Sequence, residues 1–262
     1  MPKTSTRPLV NTAVDEQIEN LVVANRILAE HGVVDAFGHV SVRSPLDASR
    51  YFLSRSLPPE QVTRADIMEF DQDSALVDGR HVPTSRQACY LERFIHGAIY
   101  RARPDVGAVV HTHSQALIPF SVTALPLKPI YHMCAFVGQG VPVFDIRADD
   151  GDASDMLIRD DRLGRSLAQV LRDKPAALMR GHGAVVAGAT LSEAVGRSVY
   201  LEINARLQMQ AMAMAGDQVT YLSAGETSAA EVPMRGYERS WTLWRPKALA
   251  RLAAEADCES RS

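Results

Sequence analysis

Apolar positions along this chain switch between two periods, and the switches divide it into elements. Val14, Ile18, Leu21, Val22 and Leu28 recur every three to four residues, the spacing that puts side chains on one helix face. Thr12 with Asp15 three residues on reads as a capping pair and Gly32 as a stop, so the pattern predicts an amphipathic helix over 13–31. Gly38-His39-Val40-Ser41-Val42-Arg43 then alternates small or apolar with polar residues, the period of a strand, with Tyr51 to Leu53 as its partner. Between Arg55 and Arg86 three prolines and the Asp78-Gly79 turn signal interrupt any regular pattern, which predicts short strands joined by loops. Leu91, Phe94, Ile95, Ala98 and Ile99 mark a second helix that ends before Pro104.

The second half repeats the alternation. Val106 to Ser114 is a β-branched run that predicts a buried strand, and Val141 to Asp145 predicts another. Leu163, Leu167, Val170 and Leu171 outline a third helix, while 176–188 reads as strand, glycine-flanked turn, strand. Thr190 with Glu193 caps a long helix reaching about Met214, carried by Val195, Val199, Ile203, Leu207 and Ala211. Without an internal repeat or a linker, this order of elements predicts one α/β domain over 13–236. A flexible polar arm is expected over 1–12, and a helical tail over 237–262 that holds Trp241 and Trp244.

Composition narrows the function classes. The 262 residues carry 28 Lys+Arg against 31 Asp+Glu, a formal charge of −3, which argues against a nucleic-acid partner. Hydrophobic content of 46% and charged content of 23% exclude disorder for the bulk of the chain. No run is long and apolar enough for a signal peptide or a membrane span, so a cytoplasmic protein with no membrane partner is expected. Cys89, Cys134 and Cys258 are odd in number and far apart, which fits neither a disulfide framework nor a CxxC site. Imidazole and carboxylate are left as the candidate metal ligands, and the chain has eight histidines.

His111 and His113 lie two apart in the β-branched run, so strand alternation points both imidazoles the same way, as half of a metal site would require. His182 sits between Gly181 and Gly183, where flanking glycines permit a tight turn and close approach of an ion. Taken singly, such features also describe a polar strand end and an ordinary turn. Together the three imidazoles would supply a set suited to Zn, Mn or Fe. Glu92 and His96 are four apart on the second helix and share a face; Glu92 is a candidate fourth ligand or general acid/base, or else a surface carboxylate. His31 beside Gly32 suits the negative end of a helix dipole, and His81 has no assignable partner.

The run ERFIHGAIYRARPDVGAVVHTHS (92–114), the GHVSVR segment (38–43) and RGHGAVVAG (180–188) resemble the class II aldolase/adducin family over roughly 14–215. The resemblance implies an α/β/α sandwich around a mainly antiparallel sheet, assembled as a homotetramer with active sites at subunit contacts. It also implies one divalent ion per subunit (Mn, Fe, Co or Zn), held by His111, His113 and His182, with Glu92 as acid/base and ligand. All four positions are filled, which argues against a non-catalytic, adducin-like interaction protein.

The chain departs from the sugar-phosphate aldolases where they hold phosphate. Gly38-His39 replaces their Gly-Asn, LSRSLPPEQ (53–61) replaces a small Ser/Thr-Gly loop, and Thr84-Ser85 stands six residues from Glu92 rather than directly before it. A phosphate cradle needs converging backbone N–H groups and small side chains, so a sugar phosphate is not expected. GHVSVR, the residues inserted before Glu92 and IPFSVTALPLKPIYH (118–132) resemble instead the decarboxylase branch, which acts on hydroxylated aromatic or pyridine dicarboxylates. On that resemblance His39, Ser41, Arg55 and Arg86 are candidates to grip substrate oxygens, the arginines through their planar donor fork. Phe120, Tyr131 and His132 are candidates to bound the ring. The expected activity is metal-dependent decarboxylation, with an aldolase for a non-phosphorylated hydroxy-oxo acid or sugar as the alternative.

Overall fold

The computed structural model describes residues 9–77, 89–234 and 236–259. Seven strands form one sheet: β1 (His39–Arg43), β2 (Arg50–Ser54), β3 (Ile67–Asp71), β4 (Ala108–Thr112), β5 (Val143–Phe144), β6 (Ala176–Met179) and β7 (Gly183–Gly188). Their order across the sheet is β3-β2-β1-β4-β7-β6-β5. Every pairing is antiparallel except the short parallel contact of β5 with β6. The helices are α1 (Leu9–Glu30), α2 (Phe94–Ala102), α3 (Ile118–Val122), α4 (Arg147–Asp150), α5 (Asp161–Leu171), α6 (Leu191–Ala215), α7 (Ala224–Met234) and α8 (Glu238–Glu259).

Strand alternation divides the core in two. Ala108 and Val110 of β4, with Val186 of β7, pack into a cluster with Ile18, Leu21 and Leu28 of α1 and with Val195 and Val199 of α6. Val109 and Val185 point the other way, into a cluster with Ile95 and Ile99 of α2 and with Leu163, Leu167 and Leu171 of α5. Helices therefore cover both faces of a mainly antiparallel sheet, the expected α/β/α arrangement. Covering both faces explains why β4 reads as a continuous apolar run rather than an alternating one. By the same parity His111 falls on the Val109 side, facing the layer of α2 and α5.

The first helix starts earlier than its pattern predicted. Thr12 lies inside α1, and the Asp15 carboxylate accepts a hydrogen bond from Arg64 Nη2 at 2.7 Å instead of serving a cap. At the other end Gly32 takes φ +66°, as a helix stop requires. The Thr190 cap forms, its hydroxyl accepting from the Glu193 N–H at 3.1 Å, while the Glu193 carboxylate reaches back one residue further, to accept from the Ala189 N–H at 2.6 Å rather than from that of Thr190. The strand expected over 141–145 shortens to two residues. Among the described residues no helix is long and apolar enough to cross a membrane. Residues 78–88, which include His81, Thr84, Ser85 and Arg86, lie outside the described residues.

Candidate metal centre

Three separate elements deliver the site. β4 carries His111, and His113 follows one residue after the strand ends. Glu92 sits not on α2 itself but in the tight 3-10 turn Leu91–Arg93 before it, at φ −87° and ψ 15°. The shared helix face expected for Glu92 and His96 is thereby split: both side chains meet the sheet, Glu92 at β4 and His96 at β1. His182 occupies the β6–β7 turn, whose backbone closes with its N–H donating to the Met179 carbonyl at 3.0 Å and with Gly181 at φ +63°. A Cβ at Gly183 would lie 1.9 Å from the Thr112 carbonyl oxygen. Only glycine lets β7 leave the turn so close to the end of β4, and that closeness sets His182 beside His113.

The functional atoms converge. His113 Nε2 lies 3.0 Å from His111 Nε2 and 3.0 Å from His182 Nε2. Glu92 Oε2 is 3.3 Å from the first of those partners and 3.4 Å from the second. One ligand atom from each of Glu92, His111, His113 and His182 fits within 4.8 Å of all the others. The outer nitrogens of two rings face backbone oxygens: His111 Nδ1 is 3.2 Å from the Ala184 carbonyl and His182 Nδ1 is 3.0 Å from the Met156 carbonyl. A carbonyl can only accept, so those Nδ1 atoms carry protons and the neutral rings turn Nε2 lone pairs inward. Lone pairs aimed at one another beside a carboxylate repel unless a cation or proton lies between them. The donor set therefore fits a divalent metal ion with nitrogen and oxygen preferences, and the carbonyls are the outer partners that orient such ligands.

Electrostatics in the site follow from the same distances. Burial alone would raise the Glu92 carboxyl, but the His111 and His182 imidazoles outweigh it and hold Glu92 well below the usual carboxylate range. His182 moves oppositely; burial pulls it down, and Glu92 more than restores it, leaving it raised. His113 is lowered to about 4 by burial and by its two imidazole neighbours. Glu92 Oε1 also accepts the Ile158 N–H at 3.0 Å, which leaves Oε2 on the cluster side.

The structure sorts the remaining candidates. His39, opposite His111 in the β1–β4 register, is buried with its ring 5.0 Å from that of His111. Ser41 is not a substrate contact: it is fully buried behind the site, with its hydroxyl 2.6 Å from His96 Nδ1 and 2.8 Å from the Tyr100 hydroxyl. Arg55 is only half free, since its Nε donates to Asp66 at 2.6 Å. Phe120 is core, packed in the α1 and α6 layer on the far side of the sheet. Tyr131 and His132 also stay away from the cluster within this chain: the Tyr131 ring neighbours are His132 and Tyr200, and its amide donates to Asn204. Arg86 lies outside the described residues.

Sequence reasoning missed several neighbours. The carbonyls of Met156 and Ala184 and the amide of Ile158 are backbone groups, which leave no residue-type signal; the positive φ of Met156 (68°) marks its turn only in three dimensions. Tyr90, two residues before Glu92, places its ring 4.4 Å from that of His39 and donates its hydroxyl to the Leu57 carbonyl at 2.6 Å. Phe37, 65% exposed, stacks on His113 at 6.0 Å. An aromatic flanking a candidate acid, and another just before Gly38, were the available clues.

Comparison with known proteins identifies the family. The family profile described as class II aldolase and adducin N-terminal domain matches residues 19–209, well over half of the chain. A relative in Talaromyces stipitatus named decarboxylase tropJ is 33% identical over 90% of this chain and 95% of its own length. The 3,4-dihydroxyphthalate decarboxylase of a Terrabacter species is 30% identical over 74% of this chain and 81% of its own. Among solved structures, L-fuculose 1-phosphate aldolase from Glaciozyma antarctica superposes with a TM-score of 0.75 at 25% identity, covering 97% of this chain and 96% of that one. The fold and the match over residues 19–209, beside a Glu/His cluster that could hold a metal ion, make this chain a member of the class II aldolase and adducin family, among its carbon–carbon lyases.

Proposed function

We propose that the protein is a metal-dependent decarboxylase of a hydroxylated aromatic or pyridine dicarboxylate, with a dihydroxyphthalate as the leading substrate. The observation that carries this reading is the convergence of three imidazole Nε2 atoms and one carboxylate at a strand end, in a chain whose relatives include named dihydroxyphthalate decarboxylases. His111, His113, His182 and Glu92 would hold one divalent ion per subunit, whose positive charge offsets the negative charge that loss of a carboxylate leaves on the ring. Mn, Fe, Co and Zn all suit such ligands.

Glu92 performs the proton chemistry. Beside the metal ligands, it would accept the proton of the substrate hydroxyl as the dicarboxylate binds. The bond between ring and carboxylate then breaks, CO2 leaves, and the electron pair stays on the ring carbon. Glu92 returns its proton to that carbon, so atoms and charge balance. His39 would supply a hydrogen bond from beside His111, and the Arg55 guanidinium, with its Nε on Asp66, would attract the acidic substrate. Arg86 remains a candidate for the same task. The subunits assemble as a homotetramer, with Tyr131 and His132 available to a neighbouring site rather than to their own. Cys89, Cys134 and Cys258 are free thiols, in keeping with a reducing cytoplasm.

Purified protein loaded with Mn, Fe, Co or Zn and given 3,4-dihydroxyphthalate should release CO2 in step with substrate loss. Aldehyde release from a hydroxy-oxo acid, with no CO2 from any hydroxylated phthalate or pyridine dicarboxylate, would instead establish the aldolase reading.

A further inference from the structure

Behind the metal ligands runs a buried chain of side chains that the ligand set does not use. His39 Nδ1 lies 2.6 Å from His96 Nε2, His96 Nδ1 lies 2.6 Å from Ser41 Oγ, and Ser41 Oγ lies 2.8 Å from the Tyr100 hydroxyl. All four residues are 3% exposed or less, so water is not available to complete their hydrogen bonding. The groups from His39 Nδ1 to the Tyr100 hydroxyl must therefore be matched within it, and His39 Nε2 alone ends the chain on the metal-ligand side.

That requirement fixes a direction. Among the described residues the only acceptor for the Tyr100 hydroxyl is Ser41 Oγ, so Tyr100 donates to Ser41. The Ser41 hydroxyl, having accepted there, has one proton to place and one remaining neighbour, so it donates to His96 Nδ1. His96 Nδ1 is then an acceptor, and its proton resides on Nε2, which donates to His39 Nδ1. His39 in turn carries its proton on Nε2, an atom with no hydrogen-bond partner among the described residues. The reverse order would leave the Tyr100 hydroxyl proton buried without an acceptor, and a doubly protonated His96 would strand the Ser41 proton.

We propose that this chain locks His39 as a one-way hydrogen-bond donor, its Nε2–H presented to a carboxylate or phenolate oxygen of the substrate beside His111. The inference rests on the decarboxylase reading for the identity of that oxygen, but not for the direction of the chain. Tyr100, Ser41 and His96 are positioning residues: they touch no substrate and act through the tautomer of His39. The consequence is specificity for substrates that offer an acceptor at this position over those that offer only a donor.

The test separates the two parts. Long-range proton–nitrogen correlation on the full chain loaded with zinc alone should show Nδ1 unprotonated and Nε2 protonated in both His39 and His96. The opposite tautomer in either ring overturns the proposal, whatever the enzyme turns over. Tyr100→Phe removes the proton that sets the direction, so both rings should become tautomer mixtures; an unchanged single tautomer would also overturn it. With 3,4-dihydroxyphthalate, the Phe variant should raise KM severalfold while kcat moves less. His39→Leu should lower kcat/KM by about 10- to 100-fold, the loss of one hydrogen bond to a charged group. His39→Gln, which keeps an N–H near the Nε2 position, should retain most of the activity. Equal losses in Leu and Gln variants that both still bind zinc would remove the donor role. Absence of CO2 from the unmodified protein would count against the decarboxylase reading alone, with the nitrogen spectra still deciding the direction.

Discussion

Exchange of Glu92 for glutamine keeps an oxygen that can accept the Ile158 N–H but removes both the negative charge and the capacity to carry a proton. Because three imidazoles remain, Glu92→Gln should still bind the metal while kcat falls by about 10²- to 10⁴-fold, the range of a single general acid/base. Metal analysis beside single-turnover CO2 release checks both halves, and full activity in this variant would remove Glu92 from the proton chemistry. His111→Ala and His182→Ala should behave oppositely. Each deletes an inward lone pair and strands a backbone carbonyl, at Ala184 or Met156, so metal content itself should drop. Unchanged metal content in either variant would contradict the ligand assignment.

At the scale of elements, the turn between β6 and β7 is where fold and site depend on one another. Gly183→Ala would place a methyl group 1.9 Å from the Thr112 carbonyl oxygen, so β4 and β7 must part at the point where they hold His113 and His182. The expected cost is at least about 2 kcal/mol of stability, as for other insertions into close-packed backbone, with weakened metal binding in the same variant. Urea unfolding and a metal titration measure the two effects, and a variant that kept both would show that the strands have slack there. This turn was legible in sequence because a histidine between glycines is a local signal, as was the two-residue spacing that turns His111, at the end of β4, and His113, just past it, to the same side. What failed to read were questions of layer. Ser41 shares a face with His39 by simple alternation, yet nothing local says that α2 covers it with His96 and Tyr100. Phe120 sits in a helical turn whose layer is decided by distant packing, and it went to the α1 side. The split of Glu92 from α2 depends on a non-helical ψ that no apolar spacing encodes.

For the whole molecule, the buried imidazoles tie stability to pH. His96 is pushed to about 3, first by burial and then by the neighbouring His111, from an ordinary value of 6.5. The unfolded chain therefore binds a proton at His96 below pH 6.5 that the native state refuses until about pH 3. Stability contributed by this residue is complete above 6.5 and declines as pH falls through that window. Between pH 7 and pH 5 the metal-free protein should lose about 2 kcal/mol from His96 alone. His113, lowered to about 4, acts in the same direction. Metal strengthens the trend, because ions bind the deprotonated ligands of the native state and add stability that grows with the ratio of free ion to dissociation constant. Urea midpoints at pH 7 and pH 5, each with chelator and with zinc, should thus show a decline in both series and a steeper one with zinc. A flat chelator series would mean that His96 takes up its proton without unfolding. That outcome would break the neutral hydrogen-bonded chain from Tyr100 to His39 as well, since a doubly protonated His96 cannot accept from Ser41.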